Sequence, residues 1–176
     1  MPGIFFVGYL LSIAVFQTTF NRYLNIDQLF PDILFVLTVY AGLEWGKTKG
    51  LKWGIFIGLL QDSISYGYLG MQTFVNALTG FSCGFLREHF VYESTAVRWT
   101  LVLIFSLLNG LIFYGLTRAV LQVDLSPGFL NRFLVQLFLN VLVTTPVMAF
   151  TTFLRQKVDS RNKIGYQKHE TFRLER

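Results

Sequence analysis

The chain has 176 residues and a formal net charge of +5, with 53% hydrophobic, 17% aromatic and 14% charged residues and a mean hydropathy of +0.49. Soluble domains carry about 25% charged residues, so this composition excludes an ordinary water-soluble globule and a disordered chain. It reads as an all-α polytopic membrane protein: at roughly 20 apolar residues per span, the length accommodates about six transmembrane helices and leaves no room for a separate soluble domain.

The first apolar stretch, Ile4 to Phe20, has neither a basic segment before it nor a small-x-small cleavage site after it, so it is expected to be a retained helix and not a signal peptide. A polar connection, Asn21 to Asp27, follows. The second stretch opens at Leu29-Phe30-Pro31-Asp32 and runs to about Leu43, where Glu44, Lys47, Lys49 and Lys52 mark a water-exposed turn. Proline and a carboxylate suit the first turn of a helix. The third stretch is irregular, because only Leu51 to Leu60 precede Gln61-Asp62, and that run rises about 15 Å, half of a hydrocarbon core. Either the helix continues through the aspartate or it breaks there, with Ser63 to Leu69 as a turn or re-entrant segment. Gly70 introduces a fourth helix, Met71 to Leu86. After the polar connection Arg87 to Arg98 come a fifth span, Trp99 to Thr117, a loop from Arg118 to Arg132 turning at Ser126-Pro127-Gly128, and a sixth span, Phe133 to Leu154. The expected organisation is a transmembrane domain over residues 1–154 and a basic tail over 155–176.

Basic residues fix an expected orientation, since cytoplasmic connections carry the excess of lysine and arginine. With the N-terminus inside, the inner segments hold twelve of them, seven in the tail alone, and the outer segments hold only Arg22, Arg118 and Arg132. Both termini are therefore expected in the cytoplasm. A basic tail next to a membrane helix reads as a contact for anionic lipid, not nucleic acid.

The clearest pattern is a glycine ladder, Gly46, Gly50, Gly54, Gly58, continued in register by Asp62. Positions four apart share a helix face, and small residues let helices approach closely in lipid. The fourth helix has a matching stripe, Thr73, Ala77, Gly80 and Gly84. The stripes either pack on each other or meet another membrane protein. Asp32 and Asp62 are sharper signals, because an ionisable group at membrane depth is costly. Each either satisfies backbone N–H groups at a helix start or turn, or recognises a polar partner. The row Gln136, Asn140, Thr144, with Asn76 and Asn109, supplies amides for helix packing or for lining a cavity.

Catalytic groups are not expected. Gly80-Phe81-Ser82-Cys83-Gly84 matches the G-x-S-x-G nucleophile pattern, but it falls within a helix, whereas the motif needs a strained strand-to-helix turn and a nearby base. The two histidines, His89 and His169, fall in a loop and in the tail. The lone Cys83 reads as a packing residue. There is no metal-binding spacing and no phosphate or dinucleotide loop, so no metal or cofactor is expected.

With Pro31-Asp32, the glycine-spaced third helix, Gly58-Leu59-Leu60-Gln61-Asp62 and Leu69-Gly70, the chain resembles the MreD family of bacterial rod-shape-determining membrane proteins, most specifically over Pro31 to Phe85. The resemblance implies a non-enzymatic subunit of the cell-elongation machinery in the bacterial cytoplasmic membrane. It would associate with MreC and help couple MreB filaments to peptidoglycan synthesis by RodA and its penicillin-binding transpeptidase. It also implies a fold like the six-helix substrate-binding subunits of energy-coupling-factor vitamin transporters, which makes a vitamin-like small-molecule-binding subunit the alternative function. Ala14 with Thr18 stands in the first helix where those subunits commonly have an A-x-x-x-A contact. By position, Pro31 and Asp32 would begin the second helix, Gly54 and Gly58 would let helices approach, and Asp62 with Gly70 would shape the outer turn; Gln61 belongs to the same partner-binding or structural motif, and the outer-half patch around Asp32 and Asp62 is expected at or near an MreC contact.

Overall fold

The computed structural model describes residues 3–24, 31–64, 69–88, 94–119 and 128–174. Among them are six helices and no strand: α1 (Gly3–Leu24), α2 (Ile33–Trp45), α3 (Lys47–Ile64), α4 (Met71–Arg87), α5 (Thr95–Ala119) and α6 (Phe129–Leu174). The order matches the six expected spans, and the differences lie at their ends. Helix α1 runs on to Leu24, through the start of the expected polar connection. The 25–30, 65–68, 89–93 and 120–127 portions of the expected connections, helix start and turn lie outside the described residues.

The turn expected around the lysines shrinks to one residue. Gly46, with φ of 80°, alone separates α2 from α3; this left-handed conformation is strained for any residue with a Cβ. Lys47 then opens α3, and Lys47, Lys49 and Lys52 are exposed along its first turns. At the far end α3 continues through Asp62, so of the two readings left open by the short apolar run, the unbroken helix holds. Helix α6 starts at Phe129 and continues past 154 to Leu174 with Pro146 inside it. Residues 155–164 contain no glycine or proline to stop it.

Helix α2 is the axis of the bundle. All ten residues from Leu34 to Leu43 are buried, as expected of a helix that is hydrophobic all round. On one flank Phe35, Val36, Val39, Tyr40 and Leu43 pack with Cys83 of α4, Val102 and Phe105 of α5, and Met148 of α6. On the other, Leu34 and Leu37 pack with Phe6, Leu10 and Ala14 of α1 and Ile57 of α3. Cys83 is thus a fully buried packing residue.

Helices α3 and α4 form the closest pair, an antiparallel hairpin with backbone-to-backbone contact. As α3 advances from Gly50 through Gly54 to Gly58, the facing positions on α4 retreat from Gly80 through Asn76 and Ala77 to Thr73. Gly84 meets Gly46 and Lys47, and Gly42 of α2 meets Gly80 and Cys83. A Cβ at Gly58 would lie 2.7 Å from the Gln72 carbonyl oxygen, and one at Gly42 would lie 2.6 Å from that of Gly80. The two small-residue stripes therefore face each other within the chain, at a spacing only glycine allows.

Candidate functional site

Two polar layers close the bundle, one at each end of α2. The first begins with Asp62. Helix α4 starts after Gly70, whose φ of 97° suits the turn but which has no side chain to cap the helix. Asp62 provides the cap from α3. Its Oδ2 accepts the backbone N–H groups of Gly70 at 2.9 Å and Thr73 at 3.0 Å and the Thr73 hydroxyl at 2.6 Å, while Oδ1 accepts the Gln72 N–H at 3.0 Å. These are N–H groups a helix start leaves unpaired, and a carboxylate there also suits the helix dipole. Asp62 is 4% exposed, so the bonds form away from water.

Asp32 caps α2 in the ordinary local way, its Oδ1 accepting the Phe35 N–H at 3.0 Å. Its carboxylate also accepts the Gln61 side-chain amide, at 2.7 and 2.9 Å to the two oxygens. Its own backbone N–H donates to Asn140 Oδ1 at 2.7 Å. Asn140 Nδ2 in turn donates to Ser106 Oγ at 3.2 Å, and Asn76 Nδ2 donates to Gln61 Oε1 at 2.6 Å. One hydrogen-bonded layer thereby ties the start of α2 to α3, α4, α5 and α6.

The second layer lies at the other end of α2. Glu44 receives the Arg155 guanidinium from α6 through its carboxylate, and Arg87 of α4 through its backbone carbonyl at 2.6 Å. Lys47 pairs with Glu88 at 3.1 Å. Beside this layer the rings of Phe6, Trp45 and Trp53 pack edge to face, with centroids 4.7 and 4.6 Å from Phe6.

The residues singled out from the sequence fall into two groups. Asp32, Gln61, Asp62, Gly70 and Thr73 meet in the first layer, with Pro31 leading into it. Gly54, Gly58, Ala77, Gly80 and Gly84 line the α3–α4 seam and lead away from that layer toward the other end. The G-x-S-x-G segment lies within α4, where both of its glycines are occupied by the seam. Of the amide row on α6, Asn140 and Thr144 are buried and Gln136 is half-buried. Asn140 was legible as an intramembrane amide, but nothing in the sequence pairs it with a residue 108 positions away. The Glu44–Arg155 pair was missed, since both look like ordinary charges at span ends. No group of three or more potential metal ligands occurs among the described residues.

Among the described residues, 96–115 in α5 and 130–157 in α6 are long and apolar enough to cross a membrane. No curated protein and no solved structure matches the chain. A family model described as rod shape-determining protein MreD matches residues 2–158, and the chain belongs to that family of membrane proteins.

Proposed function

We propose that this protein is a non-enzymatic inner-membrane subunit of the bacterial cell-elongation complex, binding MreC and helping couple MreB filaments to peptidoglycan synthesis by RodA and its penicillin-binding transpeptidase. Family membership over residues 2–158 carries the reading. The geometry supports an assembly role: Asp32, Gln61, Asp62 and Asn140 bond to helix starts and to one another, which suits a scaffold presenting a fixed surface. In this reading residues 1–154 form the transmembrane domain and 155–176 a basic tail at anionic lipid, with both termini cytoplasmic. The Asp32–Asp62 layer then faces outward, and its rim is the proposed MreC contact.

Asp62 holds α4, so replacing it perturbs the fold along with any partner. Leu69, 82% exposed beside Gly70, is the cleaner probe. Affinity purification of the tagged protein from gently solubilised native membranes is expected to recover MreC with the cell-wall synthases, and Leu69→Glu to reduce that recovery without lowering the yield of folded protein. Full recovery with Leu69→Glu would move the contact elsewhere. Recovery of a vitamin-like ligand or transporter ATPase subunits would instead support the alternative, a small-molecule-binding subunit with the fold of energy-coupling-factor substrate-binding subunits.

A further inference from the structure

Thr38, Thr144, Thr151 and Thr152 each turn their hydroxyl proton back onto the carbonyl four residues earlier in their own helix, the usual way for a threonine to satisfy itself in lipid. Thr145 does not. Its hydroxyl oxygen accepts the Trp99 indole N–H of α5 at 2.6 Å, its one hydrogen bond among the described residues, so its own proton is left for an acceptor outside the chain. That hydroxyl lines a cleft of about 130 Å³ between α5 and α6, with Arg98, Trp99, Thr144, Met148 and Ala149 around it. The cleft opens outward, since Trp99, Thr145 and Ala149 are exposed and Arg98 is half-buried.

Arg118 follows Arg98 by twenty residues on α5, a rise of about 30 Å that matches the thickness of a hydrocarbon core. Arg98 therefore stands at the hydrocarbon edge, the depth of headgroup phosphates, where tryptophan is also at home. It is the edge at the Glu44–Arg155 end of the bundle, because Val102, one turn further along α5, shares a core cluster with Leu43 and Cys83. That end also carries Lys49, Lys52 and Arg87 beyond the Lys47–Glu88 and Glu44–Arg155 pairs, an excess of positive charge that attracts anionic lipid.

Away from the edge the same two helix faces turn apolar. Leu103 and Leu107 continue the face of Trp99, and Leu142 and Phe138 that of Thr145; each is at least 42% exposed. A cation and a hydroxyl donor at phosphate depth, with apolar side chains leading from them into the hydrocarbon, complement both parts of a phospholipid. Free phosphate would use only the first.

We propose that the α5–α6 cleft is a binding site for one anionic phospholipid, its phosphate on the Arg98 guanidinium and the Thr145 hydroxyl and its acyl chains along Leu103 and Leu142. Guanidinium N–H groups make directed, charge-assisted bonds to phosphate oxygens, and the indole N–H holds the Thr145 oxygen so that its proton is the group left to donate. The site is separate from the basic tail. It needs membrane insertion only and does not depend on MreC binding.

The test is native mass spectrometry of the full-length protein, stripped of lipid in detergent and titrated with phosphatidylglycerol, phosphatidylcholine or inorganic phosphate. One phosphatidylglycerol is expected to be retained in preference to phosphatidylcholine, and excess inorganic phosphate is expected not to displace it. Arg98→Gln should weaken that binding about tenfold and Thr145→Val about threefold, the losses of a charged and a neutral hydrogen bond. The tail variant Lys163→Gln/Lys168→Gln should bind as the wild type does. Each protein is also compared with its own lipid-free melting midpoint, so that weakened folding is not mistaken for weakened binding. Phosphatidylglycerol should raise the midpoint of the wild type and the tail variant more than that of Arg98→Gln. Unchanged binding in both Arg98→Gln and Thr145→Val would overturn the site, as would loss of the lipid in the tail variant alone. Equal retention of phosphatidylcholine would overturn the preference for an anionic headgroup, and displacement by inorganic phosphate would overturn a lipid as the occupant.

Discussion

At the scale of single residues, the two aspartates do the same work by different routes. Asp32 caps the helix it begins, and this was open to local reading as a carboxylate after proline at a helix start. Asp62 caps a helix that begins nine residues later; capping a helix start was one of its two sequence readings, and the fold identifies that start as α4. Asp62→Ala strips a partner from three backbone N–H groups and a hydroxyl, and is expected to lower stability by about 2 kcal/mol or more. Thr73→Val removes one of those bonds and should cost about 1 kcal/mol. Thermal unfolding of the purified protein in mild detergent checks both; equal effects would mean that the backbone bonds contribute little.

At the scale of elements, glycines that look alike in the sequence differ in what surrounds them. Gly58 faces α4 backbone that leaves no room for a methyl group, whereas Gly115 of α5 has nothing within 4 Å of where a Cβ would stand. Gly58→Val is expected to cost about 3 kcal/mol or more through overpacking, and to loosen the α3–α4 hairpin. Gly115→Ala should raise stability by about 0.5 to 1 kcal/mol, because alanine is the better helix former. Parallel melting curves for the two variants read the contrast. The period-four ladder was legible as a packing face, but its partner was not. Periodicity identifies which side of a helix is narrow, while the identity of what fills it depends on the α3–α4 turn bringing Thr73, Ala77 and Gly80 into antiparallel register.

At the scale of the whole molecule, the Glu44–Arg155 pair fastens the middle of α6 to the end of α2 across 111 positions. Glu44→Gln keeps the shape and removes the charge. It is expected to speed hydrogen exchange of the α6 amides near Arg155 more than those near Asn140. The proposed orientation has its own check, helped by the burial of Cys83 at 0% exposure, which leaves an introduced thiol as the reactive one. In sealed cells a membrane-impermeant maleimide should label Leu69→Cys but reach Gln167→Cys only after permeabilisation. The reverse pattern would invert the topology.

The sequence by itself determined the membrane character, the helix count, the buried role of Cys83 and the family. Each follows from hydropathy, spacing or local order, which are properties of neighbouring residues. The tertiary structure decided that α3 runs unbroken through Asp62, that Asn140 meets Asp32, that Arg155 meets Glu44, and that the glycine ladder faces the stripe on α4. The two hydrogen-bonded pairs join residues 108 and 111 positions apart, and all of these contacts depend on helix ends and turns. Composition carries no record of that register. A carboxylate or glycine reveals that it needs a partner, and only the packed bundle supplies one.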